Sequence, residues 1–179
     1  MSRAVSRRTI ALLASGAACV AAAALPAAAQ GNTATMNITA TVYQPITVTK
    51  VRDLAFGNVF PGVTKTVPVT DGTNAGKVTV AGQKQANVQV RISVPASLTG
   101  PGSAIPVTWS GYVNTADDAS SGGTLLAITS GTFTTTTSLS AGTTGQLYLF
   151  IAGSITPDAQ QAAGAYSATL SVDVTYTGT

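Results

Sequence analysis

From Tyr166 the even positions are Tyr166, Ala168, Leu170, Val172, Val174 and Tyr176, with Ser167, Thr169, Ser171, Asp173 and Thr175 between them. A β-strand turns successive side chains to opposite faces, so this period of two predicts a strand over 164–176 with one apolar and one hydroxyl-rich face. Gly164 supplies the entry from a turn. The same alternation runs through Ala34, Met36, Ile38, Ala40 and Val42, separated by Thr35, Asn37, Thr39 and Thr41. It predicts a second two-faced strand. Tyr43-Gln44-Pro45 ends that strand, because proline cannot donate to a sheet ladder, and Ile46 to Val51 resumes the pattern.

Shorter runs fill the interval. Asp53 to Val59 reads as a short strand running into the turn Phe60-Pro61-Gly62, and strands are expected at Lys65–Thr70, Lys77–Ala81, Ala86–Val94 and Val107–Val113. Pro95 to Pro106 and Thr115 to Gly123 read as loops. Two more strands are expected at Thr124–Thr137 and Gly145–Gly153, the latter nearly continuously apolar through Leu147, Tyr148, Leu149, Phe150 and Ile151, as a strand covered on both faces should be. The one helix-like patch, Asp158 to Ala163, is a turn or two at most. Many short strands punctuated by Gly, Pro, Asn and Ser predict an all-β sandwich. Abundant threonine fits a strand face that meets water.

The first 29 residues change the picture. Arg3, Arg7 and Arg8 form a basic head, Ile10 to Leu25 is a short apolar run, and Ala27-Ala28-Ala29 offers a cleavage site. Residues 1–29 are therefore expected to be a cleaved secretory signal. Ser6-Arg7-Arg8-Thr9-Ile10 also fits a twin-arginine signal, so either export route is open. The formal charge of +3 is largely that of the signal: six of the nine Lys and Arg residues remain from Gln30 onward, against six acidic residues, all Asp. A balanced chain without a basic cluster gives no electrostatic case for nucleic acid or for anionic membrane. No direct membrane insertion is expected, since the apolar run of the signal is too short to span. The lone cysteine, Cys19, lies within the signal, so the exported chain is expected to carry neither disulfide nor thiolate metal site.

Residues 30–179 contain no His, Cys or Glu. That removes a Ser-His-Asp arrangement and the common zinc and iron sites, and neither an enzyme nor a cofactor is expected. Asp117-Asp118 and Asp71-Gly72-Thr73-Asn74 could offer oxygens to Ca²⁺, but each is also what a solvated turn requires. Trp109 and Tyr112 could form a sugar-stacking platform, though a single Trp in a sandwich more often belongs to its core.

Three motifs taken in order, Met36 to Val42, Leu54-Ala55-Phe56-Gly57, and Gly164-Ala165-Tyr166 with Val172 to Tyr176, resemble the spore-coat-U-like subunits of archaic chaperone–usher pili and a related uncharacterised family of secreted β-domains. That resemblance implies an immunoglobulin-like β-sandwich lacking one strand, filled first by a periplasmic chaperone and then by the N-terminal segment of a neighbouring copy. It divides the chain into a signal (1–29), a donor-strand candidate (30–43) and a pilin-like sandwich (44–179). Met36, Ile38, Ala40 and Val42 would be the donated side chains. Gly164, Tyr166, Leu170, Val172, Val174 and Tyr176 would form the final strand lining the acceptor groove. The resemblance implies a homopolymeric surface fibre assembled with a chaperone and an outer-membrane usher, passing through the periplasm and supporting adhesion or biofilm formation. The alternative is a self-contained secreted sandwich that binds carbohydrate through its loops, with Ala34 to Val42 as the first strand of its own sheet.

Overall fold

A computed structural model describes residues 32–177; the expected signal, 1–29, lies outside the described residues. The chain divides into two units between Ala40 and Thr41. Within the first, residues 32–40 are exposed and carry no regular secondary structure. The second is an all-β sandwich. Its strands are β1 (Thr47–Arg52), β2 (Lys65–Val67), β3 (Gly76–Gly82), β4 (Asn87–Val94), β5 (Ser97–Leu98), β6 (Ile105–Asn114), β7 (Thr124–Leu126), β8 (Gly131–Ser138), β9 (Gly145–Ile155) and β10 (Ser171–Tyr176).

One sheet runs β1-β3-β9-β6-β5, with β2 beside β9 and β7 beside β6, and the other runs β10-β4-β8. All the pairings are antiparallel. β4 shows why the layers close: Val88, Val90 and Ile92 are fully buried while Asn87, Gln89 and Arg91 face solvent. They meet Val80 of β3 and Leu147 and Leu149 of β9 in one apolar core. Burial of each such side chain stabilises the fold by roughly 1.5–3 kcal/mol.

β9 is covered on both faces, as its apolar run predicts. Leu147, Leu149 and Ile151 enter the core. On the other face the ring of Phe150 lies 6.5 Å from that of Tyr112, and Lys77 Nζ sits 5.3 Å over Tyr148 and 5.8 Å over Phe150. Lys77 donates to Asp117 at 2.7 Å, fastening the loop after β6 across this face.

Five expected segments differ. Ala34 to Val42 is not a strand, because among the described residues it has no ladder partner, and alternation alone does not satisfy backbone donors. Asp53 to Val59 is irregular: β3, the antiparallel partner of β1, begins only at Gly76, and beyond that point Ala55 keeps a single backbone bond to Asn74 O at 2.9 Å. The run 124–137 breaks into β7 and β8 at 127–130, and Gly131, which opens β8, takes a φ of 100°. The final strand is half the expected length. Its neighbour β4 ends at Val94, and the next residue, Pro95, has no N–H to extend the ladder that begins at Ser171↔Ser93. Pairing resumes in one isolated bridge, Thr99↔Ser167, with N···O distances of 2.9 and 3.0 Å. Asp158 to Ala163 is a turn closed by Gln161 N donating to Asp158 O, with no helix.

Candidate functional site

Two sheets that pack on one core usually close along their sides. Here β1 ends the first sheet and β10 ends the second, and each pairs with one neighbour only among the described residues. Between them runs a groove of about 990 Å³. Val48, Leu54, Phe56 and Val78 line one wall, Leu170 and Val172 the other, and Trp109 and Ile151 lie at its floor. Leu54, Phe56, Val78, Leu170 and Val172 are half-buried, packed on the core with their remaining surface turned to the groove. Val48 is 40% exposed on an edge strand. Lys50, Arg52 and Asp53 bring charge to the lining.

The groove is bounded at one end by Tyr176. Its hydroxyl accepts from Gln83 N at 2.7 Å and donates to Gln44 O at 2.6 Å, and its ring lies 5.1 Å from that of Tyr43. Gly82 allows this approach, since a Cβ there would stand 2.5 Å from the Tyr176 hydroxyl. The end of β10, the end of β3 and the chain entering β1 are thus tied together. At the other end Tyr166 orders the loop after β5: its hydroxyl accepts from Gly102 N at 3.0 Å and Gln161 Nε2 at 2.7 Å, and donates to Ala162 O at 2.9 Å. Gly164 beside it has a φ of 146°, and a Cβ would meet Pro101 Cγ at 2.5 Å. Glycine is required there on both counts.

Of the six residues assigned to the final strand, Gly164, Tyr166, Leu170 and Val172 line the groove. Val174 and Tyr176 share the inward face of β10 but lie beyond the lining, Val174 against the core and Tyr176 in the clamp. Of the four assigned donor residues, all are exposed: Met36 at 83%, Ile38 at 89% and Val42 at 91%, with Ala40 between them. The sequence reading did not assign the opposite wall, Val48, Leu54, Phe56 and Val78. Leu54-Ala55-Phe56-Gly57 was the signal available for it, since alternation there has no ladder to serve.

The candidate metal and sugar residues are engaged otherwise. The Asp71 carboxylate accepts from Asn74 Nδ2 and from the backbone N–H groups of Thr73 and Asn74, each at 2.9 Å. These bonds, the Asn74 side chain first, hold its pKa below the usual carboxylate range, with the Arg52 guanidinium adding a smaller pull. Asp118 accepts from Ser120 Oγ at 2.6 Å, Ser120 N at 2.7 Å and Ser121 Oγ at 2.8 Å, and is lowered likewise, chiefly by the Ser120 hydroxyl. Among the described residues no three acidic, His or Cys side chains gather as a metal site. Trp109 is buried in the core, donating Nε1–H to Pro95 O at 2.7 Å, while Tyr112 sits outside that core, its hydroxyl accepting from Gly123 N at 2.7 Å. The two rings do not form one platform.

A family model described as a domain of unknown function (DUF4402) matches residues 46–176. The chain belongs to the DUF4402 family. The DUF4402 match begins one residue before β1 and ends on the last residue of β10, so both walls of the groove lie inside it, and residues 34–42 precede it. No curated protein matches the chain. Within the DUF4402 domain the Tyr176 clamp makes a direct prediction. Tyr176→Phe keeps the ring on Tyr43 but removes both hydroxyl bonds, and is expected to cost about 1–3 kcal/mol. Urea unfolding measures it, and an unchanged midpoint would mean that water replaces the hydroxyl without loss.

Proposed function

We propose that this chain is a structural subunit of a surface fibre, and that a strand donated by a neighbouring copy completes its sandwich. The observation that carries this reading is the pair of open sheet edges, β1 and β10, flanking a half-buried apolar groove, in a chain whose alternating segment 34–42 is exposed. A strand laid in the groove would cover the apolar surface of Leu54, Phe56, Leu170 and Val172 and bring backbone partners to edges that otherwise invite aggregation. Met36, Ile38, Ala40 and Val42 supply the inward side chains of that strand. Burial of Met36, Ile38 and Val42 together contributes on the order of 5–9 kcal/mol, comparable with the whole stability of an ordinary domain, about 5–15 kcal/mol. Donation from copy to copy is a head-to-tail contact that need not close, and so it builds a filament.

The partners that follow are other copies of this chain, a periplasmic chaperone that shields the groove in transit, and an outer-membrane usher. The location that follows is the cell surface, and the role is adhesion or biofilm formation. Electrophoresis of the cell-surface fraction in SDS, unheated and boiled, tests the reading. The expected result is a ladder that collapses to monomer on boiling, since residues 30–179 contain no cysteine to form covalent ladders. A single monomer band from folded protein would sink it.

A further inference from the structure

β8 ends the second sheet on the side away from the groove, and among the described residues it pairs only with β4. The two are in unbroken register from Asn87↔Ser138 to Val94↔Gly131. Sheet edges are normally protected by charge, proline, a bulge or shortness. β1 carries Lys50 and Arg52 with a register shift between them, β10 carries Asp173, and β2, β5 and β7 have three residues or fewer. β8, with the sequence Gly-Thr-Phe-Thr-Thr-Thr-Thr-Ser, has eight residues and none of these devices.

We propose that β8 is a self-complementary assembly edge, at which two copies of this chain pair side by side, antiparallel and related by a two-fold axis. Opposed residues in an antiparallel pair share a face, so the register must match even positions with even and odd with odd. Centring it on Thr135 uses Thr132 to Ser138 and leaves out Gly131, whose φ of 100° is not that of a strand. Thr134 then opposes Thr136, and Thr132 opposes Ser138, on the exposed face. Phe133, half-buried at an open edge, opposes Thr137 on the inner face. Hydroxyl pairs and aromatic with β-branched pairs are the favourable cross-strand combinations.

Charge does not oppose the pairing. The ionic group of β4 on the exposed face is Arg91, one strand inward beside Thr134, and the oppositely charged Asp173 of β10 stands across from it on the far side. Across the joint the two Arg91 side chains stand three strand spacings apart, about 14 Å, which is beyond the screening length of about 8 Å at physiological salt. One edge of this length is a weak contact compared with a stable interface. Repeated along a filament it gains by multivalency, and it would bundle fibres laterally. The pairing itself does not depend on strand donation.

The test uses full-length chains carrying Cys19→Ala, with Thr134→Cys in one preparation and Thr136→Cys in another. Opposed positions across an antiparallel pair fall within disulfide reach. Oxidation of the mixture is expected to give a reducible dimer well above that from either preparation alone, in which the cysteines are diagonal. Adding Ile38→Asp to both chains leaves this dimer unchanged. The double variant Thr134→Lys/Thr136→Lys on the exposed face keeps its circular dichroism and loses self-association in sedimentation at high concentration. Three results would each overturn the proposal: no excess of dimer in the mixture, equal cross-linking by Leu125→Cys, an exposed position on β7 of the other sheet, or loss of the dimer with Ile38→Asp.

Discussion

Ile38→Asp is expected to abolish the heat-sensitive ladder while leaving the sandwich of the same chain folded. Ile38 is 89% exposed and lies outside every strand, so its replacement touches no packing within the described fold. In a donated strand the change forfeits roughly 1.5–3 kcal/mol of burial and adds several kcal/mol for an unpaired carboxylate taken out of water. A loss of about 4 kcal/mol or more lowers the exchange equilibrium by about three orders of magnitude. Thr39→Asp, on the alternate face, is the control and is expected to polymerise. A peptide of residues 32–43 added to the Ile38→Asp chain should raise its melting temperature, because that chain keeps an intact groove. Normal ladders from Ile38→Asp would refute the assigned donor face.

Trp109→Ala has the largest expected effect on the fold itself. The side chain is 9% exposed, packs between the sheets and holds the Pro95 carbonyl at 2.7 Å. Truncating a buried Trp costs about 3–5 kcal/mol, which in a domain of this size lowers the melting temperature by roughly 10–20 °C. Trp109→Phe keeps most of the volume and loses the N–H, so it should fall between. Calorimetry on the three chains gives the order. A Trp109→Ala chain that melts like the parent but loses affinity for a polysaccharide would instead restore the stacking platform.

The strands β3, β4, β6 and β9 were legible because each has a partner along nearly its whole length, so apolar alternation and backbone pairing agree. They part company at the borders. Tyr166, Leu170 and Val172 alternate without interruption, yet only Val172 is in a ladder, because the residue that would pair beyond Ser171 and Leu170 is Pro95 on a different part of the chain. Alternation reports which face is apolar and is silent about whether a neighbouring backbone is free to bond. The same limit hid the second groove wall. Leu54 and Phe56 are apolar at alternate positions in a segment with no ladder, and their surface is shared between the core and the groove. The sequence marks Gly164 only as the exit from a turn, whereas the Pro101 ring and a φ of 146° set its place. The clamp at Tyr176 joins residues 132 positions apart, a separation that local pattern cannot encode.

That clamp has a mechanical meaning. In a fibre joined by donated strands, tension would enter each subunit through Val42 and Tyr43, just ahead of β1, an edge strand that could peel from β3 one bond at a time. The Tyr176 hydroxyl holds Gln44 at 2.6 Å and Gln83 at 2.7 Å in front of that edge. Load would pass first into β10 and the turn after β3, so that the zipper between β1 and β3 is shielded until the tyrosine lets go.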